Sequence, residues 1–235
     1  MPVPLTSRNP KAVVLLSGGL DSATVLYVAR KEGIHCYCLS FDYGQRHRRE
    51  LVSARRLASG AGSPFEIISF SLPWKGSALL DEGVSIPKGR TLKEMGEDLP
   101  STYVPARNTI FLSFASSWAE AIGAFSIHIG ANALDFSGYP DCRPEYFEHF
   151  NRMIAKGTKR KTRAIEVVAP LVDKTKSEII QWGTQLGVPY AWTWSCYEGE
   201  EVPCGACDSC LLRAKGFEEA GIEDPLLKTL GIRHA

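Results

Sequence analysis

Apolar residues along this chain fall into short blocks, and amphipathic stretches alternate with them. The first block, Ala12 to Leu16, is too short for a buried helix and predicts a strand covered on both faces. From Ser22 to Lys31 the apolar positions recur at helical spacing. The alternation then repeats. Strands are predicted over His35 to Phe41, Phe65 to Phe70, Ala124 to Gly130 and Ala164 to Ala169. Helices are predicted over Gln45 to Ala61, Thr109 to Ile122, Glu145 to Ala155 and Lys174 to Leu186. Pro144 suits the first turn of the third of these helices, and Gly187 and Pro189 stop the fourth. Strands regularly separated by helices predict an α/β fold: an open, mostly parallel five-stranded sheet with helices on both faces. Ligands bind such a sheet at the carboxyl ends of its strands, where the strand order reverses. The stretch Leu72 to Leu99 breaks the pattern with glycines, prolines and charges, and is expected to be a mobile flap or insertion.

Composition narrows the setting. The chain has 235 residues, 44% of them hydrophobic, which is enough for one sizeable core with a small appendage. A net charge of +1 supplies no overall field towards nucleic acid, and no apolar run reaches a membrane-spanning length. Met1 to Lys11 carries no hydrophobic signal region, so a cytoplasmic protein is expected. Of seven cysteines, Cys36 and Cys38 alternate with Tyr37 and share one strand face, where thiols pack as small hydrophobes. The basic stretch Lys156 to Arg163 reads as a solvated loop, or as a lid for anions.

The junction after the first strand carries chemistry. Val14-Leu15-Leu16-Ser17-Gly18-Gly19-Leu20-Asp21-Ser22-Ala23-Thr24 runs from strand through two glycines into a helix. Glycines let the backbone approach an oxyanion, and the N–H groups and dipole of the new helix favour one. Ser17, Ser22 and Thr24 offer hydroxyl donors, and Asp21 suits an N-cap or an Mg²⁺ ligand. The P-loop and Rossmann glycine signatures are both absent here. The string resembles the pyrophosphate-loop ATPase family, which implies cleavage of ATP between its α and β phosphates.

A second constellation lies near the C-terminus. Cys196, Cys204, Cys207 and Cys210 include two successive Cys-x-x-Cys steps that share Cys207. Four clustered thiolates suit one structural Zn²⁺ with no open coordination position, while an iron–sulfur cluster or a redox pair would be the alternatives. The chain is therefore divided into an ATP-binding α/β domain, residues 1–190, and a helical segment, residues 191–235, that binds zinc through four cysteines. So small a segment has little core of its own, which leaves a homodimer open.

Four further stretches are informative: Ser40 to His47, Leu99 to Thr109, Gly130 to Pro144 and Pro170 to Glu178. With the cysteine spacing, and above all Tyr139-Pro140-Asp141-Cys142-Arg143-Pro144, they are similar to the 7-cyano-7-deazaguanine synthase family. The resemblance runs from about Ala12 to about Thr229. It implies an adenine nucleotide alpha-hydrolase-like fold and an ATP-dependent ligase of queuosine biosynthesis. The implied substrates are 7-carboxy-7-deazaguanine, ammonium and ATP, with neither nucleic acid nor membrane as partner. On that reaction Asp21, Lys174 and Arg143 are the expected catalytic residues: Lys174 neutralises phosphate charge, and Arg143 meets the carboxylate being activated. Residues 14–24 hold ATP, with Arg107 and Asn108 either binding nucleotide or capping a helix. Phe41 and Tyr43 line the adenine site or pack in the core. Asp135 and Asp141 are candidates to accept from the donor edge of the base, and Tyr139 to stack on it. Asp141 would otherwise cap the helix after Pro144. His47 is a candidate proton carrier. The rivals are a tRNA sulfur-transfer enzyme, with Cys142 as its nucleophile, and a nucleotide-binding module without turnover.

Overall fold

The computed structural model describes residues 10–97, 99–132, 139–159, 164–199 and 201–232. Five parallel strands form one sheet: β1 (Lys11–Leu15), β2 (His35–Asp42), β3 (Phe65–Ser69), β4 (Ser126–His128) and β5 (Glu166–Val168). Their order is β3-β2-β1-β4-β5, so the chain reverses direction across the sheet between β1 and β4. The helices are α1 (Leu20–Lys31), α2 (Arg49–Gly60), α3 (Leu92–Glu97), α4 (Arg107–Ile122), α5 (Pro144–Gly157), α6 (Lys176–Gln185), α7 (Asp208–Ala220) and α8 (Pro225–Thr229).

The two-residue alternation of the strands sorts the core into two layers. Ala12, Val14, Cys36 and Cys38 pack against α1, α2 and α6, with Leu26, Leu57 and Ile180 as buried partners. Val13, Leu15, Leu39 and Phe41 face the other way, onto Leu112 of α4 and Phe147 and Phe150 of α5. Cys36 and Cys38 are core residues as expected, and burial pushes both thiols up to about 12. Among the described residues no helix is long and apolar enough to cross a membrane.

Two regions differ from the sequence expectation. The stretch 72–99 contains the short helix α3, and its middle is fastened down. Ala78 and Ile86 are buried against Trp194 and the C-terminal cysteines. Lys88 forms a β-bridge with Cys207, and Gly89 N–H donates to the Ala206 carbonyl at 2.9 Å. Arg90 grips the Asp208 carboxylate through two nitrogens. The glycines and prolines that suggested a flap serve turns that pack. The expected boundary at residue 190 also runs between segments that share one core. Phe217 of α7 is buried with α1 and α6, and its ring meets that of Tyr190 edge-on with 5.7 Å between centroids.

A buried ion pair ties the C-terminal helices to this core. Arg213 of α7 donates to both carboxylate oxygens of Asp224, at 2.6 and 2.8 Å, and also to Thr193 Oγ1 and the Tyr190 carbonyl. Asp224 in turn caps α8 by accepting from Leu226 N–H at 2.9 Å. Removing one partner of such a pair strands a buried charge. Asp224→Ala is expected to lower unfolding stability by about 3–5 kcal/mol, read from urea denaturation; a loss below about 1 kcal/mol would show that Arg213 does not depend on it.

Candidate active site

The main cavity opens at the carboxyl ends of β1, β2 and β4, at the reversal of strand order. The loop after β1 forms its floor. Gly18 has φ +93°, and a Cβ there would lie 2.1 Å from the Glu50 carbonyl oxygen, so only glycine lets this turn sit against α2. Gly130 matters similarly, since a Cβ would lie 2.9 Å from Ser22 N at the start of α1. Gly19 is the N-cap of α1 and no side chain caps it, so its first N–H groups are available to an anion. Asp21 is therefore not the N-cap.

Of the expected nucleotide residues, Leu15, Leu16, Ser17, Gly19, Leu20, Asp21 and Ser22 line the cavity. Val14, Ala23 and Thr24 lie behind it, wholly buried. The Thr24 hydroxyl is engaged by the Leu20 carbonyl at 2.9 Å and the Tyr190 hydroxyl at 2.8 Å, so it faces no phosphate. Ser17 and Ser22 bond each other through their hydroxyls at 3.0 Å, beside Asp21.

The lysine in the cavity is Lys176, whose Nζ donates to both oxygens of Asp21 at 2.8 Å. Lys174 lies outside the lining, with its Nζ 5.3 Å from the centre of the Trp182 ring. A local signal separates the two. Thr175 and Glu178 form a capping box, so α6 starts at Lys176 and its first turn points Lys176 at the loop.

Arg107 and Asn108 open α4 and both line the cavity. Ala106 precedes them in the left-handed conformation, φ 54°, the one non-glycine residue so placed among those described. The Asp141 carboxylate accepts from Asn108 N–H at 3.0 Å, so Asp141 caps α4 rather than the helix after Pro144. Asn108 returns its amide to the Asp141 carbonyl at 3.0 Å and to Cys142 Sγ at 3.4 Å. Buried and so engaged, Asp141 is absent from the cavity lining. Arg143 is exposed and also outside it. Tyr139 does line the cavity, and its hydroxyl meets Thr102 Oγ1 at 3.1 Å. Asp135, and Arg160 to Arg163 of the basic stretch, lie outside the described residues. Phe41 and Tyr43 line the cavity too, Phe41 stacking on Phe111 with ring centres 4.0 Å apart. His47 is buried in the wall, its Nε2 3.3 Å from Glu50 Oε1. Burial pushes the Cys142 thiol up to about 11, so it carries no ready thiolate.

The four C-terminal cysteines converge, with their sulfur atoms all within 4.8 Å of one another. A tetrahedral Zn²⁺ with Zn–S of about 2.3 Å needs sulfurs roughly 3.8 Å apart, so a small contraction would seat the ion. Cys196 Sγ accepts from the N–H groups of Glu198, Gly199 and Cys204, and Cys204 Sγ from that of Cys207. Such donors favour thiolates, and these residues therefore fit a metal ion. The cluster also walls the cavity: Trp194, Ser195, Tyr197 and Ser209 of the lining are its sequence neighbours. That wall was invisible in the sequence, where the cysteines read as a separate appendage.

The family model of queuosine biosynthesis protein QueC matches residues 11–221. A protein from a Nostoc species named 7-cyano-7-deazaguanine synthase is 57% identical over 220 residues, covering 92% of this chain and 96% of that protein. Proteins of the same name from Trichodesmium erythraeum and Thermoplasma acidophilum are 55% and 54% identical. They cover 92% and 93% of this chain, and 100% and 92% of their own lengths.

Because the cysteine segment is one wall of the cavity, the two should fail together. Cys207→Ser is expected to lose bound metal, measured by elemental analysis, and to weaken ATP binding at least tenfold in calorimetry. Metal loss with unchanged ATP affinity would mean the wall stands without its clasp.

Proposed function

The chain belongs to the queuosine biosynthesis protein QueC family, and on that premise we propose that it converts 7-carboxy-7-deazaguanine, ammonia and ATP into 7-cyano-7-deazaguanine. The observation that carries this reading is the pairing, in one cavity, of an uncapped helix start behind a glycine turn with an aromatic wall of Phe41, Tyr43, Phe111 and Tyr139. The first suits phosphates and the second suits planar bases.

The chemistry runs in two ATP-dependent rounds. In the first, a substrate carboxylate oxygen attacks the α-phosphorus, an O–P bond forms and pyrophosphate leaves. Ammonia then attacks the acyl carbon, gives up one proton, and AMP leaves with the carboxyl oxygen to yield the amide. In the second, the amide oxygen attacks a second ATP and again expels pyrophosphate. The C–O bond then breaks, AMP leaves, and the nitrogen releases both protons to give the nitrile. What the protein supplies is position and stabilised charge. The N–H groups at the start of α1 and the Ser17 and Ser22 hydroxyls receive phosphate oxygens. Asp21 and Lys176 set the charge beside them, and Tyr139 stacks on the base. The oxygen donors of Asp21, Ser17 and Ser22 fit Mg²⁺, which would neutralise phosphate charge when it arrives with ATP. Cys196, Cys204, Cys207 and Cys210 would hold Zn²⁺ as a structural ion, which would keep the Trp194–Tyr197 wall in place. His47, kept in place by Glu50, is the group we assign to the ammonia proton. The small-molecule substrates need neither nucleic acid nor membrane, and the unpaired core thiols suit the reducing cytoplasm.

Mass spectrometry of products after incubation with 7-carboxy-7-deazaguanine, ATP, Mg²⁺ and ammonium tests the reading: nitrile, AMP and pyrophosphate are expected. AMP without nitrile would move the search to another acceptor. Asp21→Ala is expected to cut AMP formation by at least 100-fold while circular dichroism still shows a folded protein at the assay temperature. Turnover at the wild-type level in that variant would remove Asp21 from the phosphate site.

A further inference from the structure

The cavity holds three permanently charged or strongly basic side chains from its described lining, and two of them are already neutralised. Lys176 sits on Asp21, and Arg213 on Asp224. Arg107 differs. Among the described residues no carboxylate pairs with it, and the hydrogen bond it makes is a long one, from Nη1 to the Tyr43 hydroxyl at 3.5 Å. Arg107 is half-buried in the cavity wall; a guanidinium is always charged in a protein, and even its partial withdrawal from water without a counter-ion is costly. Its setting is aromatic: Tyr43 packs on Phe111 with ring centres 5.4 Å apart, and Tyr139 lines the same cavity.

Two anions enter this cavity on the reading above, the polyphosphate and the substrate carboxylate. The start of α1 and Lys176 lie with the core layer of α1, α2 and α6, whereas Arg107 rises from α4 in the opposite layer. The N–H of Asn108 at the start of α4 is taken by Asp141, so that helix end offers a side chain rather than a phosphate cradle. We propose that Arg107 is the receptor for the reacting carboxylate of the deazaguanine, a role the sequence suggested for the exposed Arg143. One carboxylate oxygen on the guanidinium leaves the other facing the α-phosphorus across the cavity, which is the arrangement that the first adenylation needs. The inference rests on the proposed function, and it predicts a difference between the two rounds. The acid of the first round is an anion that needs Arg107, whereas the amide of the second is neutral and does not.

Steady-state kinetics of Arg107→Gln starting separately from the acid and from the amide would test it. The value of kcat/KM for the acid is expected to fall about 30- to 100-fold, carried mostly by KM, and that for the amide to fall several times less. Both substrates are read on the same folded protein, so their ratio is insensitive to partial misfolding. Arg107→Lys keeps the charge without the flat fork and is expected to fall between wild type and Arg107→Gln. Equal losses for acid and amide with a raised KM for ATP would place Arg107 on the nucleotide and overturn the assignment. Wild-type enzyme that converts neither acid nor amide would overturn the proposed function, and this inference with it.

Discussion

The turn at Gly18 is the constraint on which the cavity depends. It lies where β1 ends and α1 begins, so its backbone sets where the first N–H groups of α1 point. Its missing Cβ lets α2 approach to a distance no other residue permits, which closes one side of the floor. Its carbonyl accepts from Trp194 N–H at 2.9 Å, and that bond joins the glycine loop to the segment carrying the cysteines. One residue thus fixes the floor, its neighbour helix and the distant wall. A larger residue there would need φ near +93° and would also displace the Glu50 backbone, two costs that fall on the same few atoms.

The four clustered cysteines act through the same linkage. In isolation, a loop with four cysteines and a few buried neighbours has too little apolar surface to hold a shape. Bound metal could contribute about 10–16 kcal/mol to ordering it. Here the ordered segment has two partners. One is the stretch 72–99, held by Lys88, Gly89 and Arg90. The other is the core beneath, reached through Arg213 and Phe217. Ordering the cysteines therefore orders Trp194 and Tyr197, and these shape the cavity. A metal ion on these cysteines would act locally, stiffening a wall that the sheet does not reach.

Most of the fold was legible in the sequence because the signals were local. Apolar blocks, helical spacing, Pro144 and Gly187 each act within one or two turns of chain, and every predicted strand and long helix is present with shifted ends. The glycine loop and the Cys-x-x-Cys steps are equally local. The rest depends on pairs far apart in sequence. Lys176 meets Asp21 from 155 positions away, and Asp141 caps α4 through Asn108, thirty-three positions before it. Nothing near Lys174 or Asp141 distinguishes a phosphate or substrate ligand from a residue used for packing. The capping box at Thr175 was the exception: it fixed the start of α6 and so which lysine turned inward. Arg143 shows the opposite case, a motif arginine left outside because the turn at Pro140–Cys142 is anchored by Asp141.

A reaction that activates the same carbon twice places an unusual demand on one cavity. On the proposed reaction the phosphate site would serve both rounds unchanged, while the acyl site would accept first an anion and then a neutral amide. Two sites on opposite layers of the sheet, as proposed above, would separate those demands. On the proposed reading the phosphate site would draw on α1 and α6, where Lys176 and Asp21 already pair their charges. On the proposed assignment the acyl side would draw on α4 and on Tyr139, whose contact with a flat base does not depend on what the carbon carries. The strand reversal between β1 and β4 makes this possible, since only there do helix starts from both layers reach a common space.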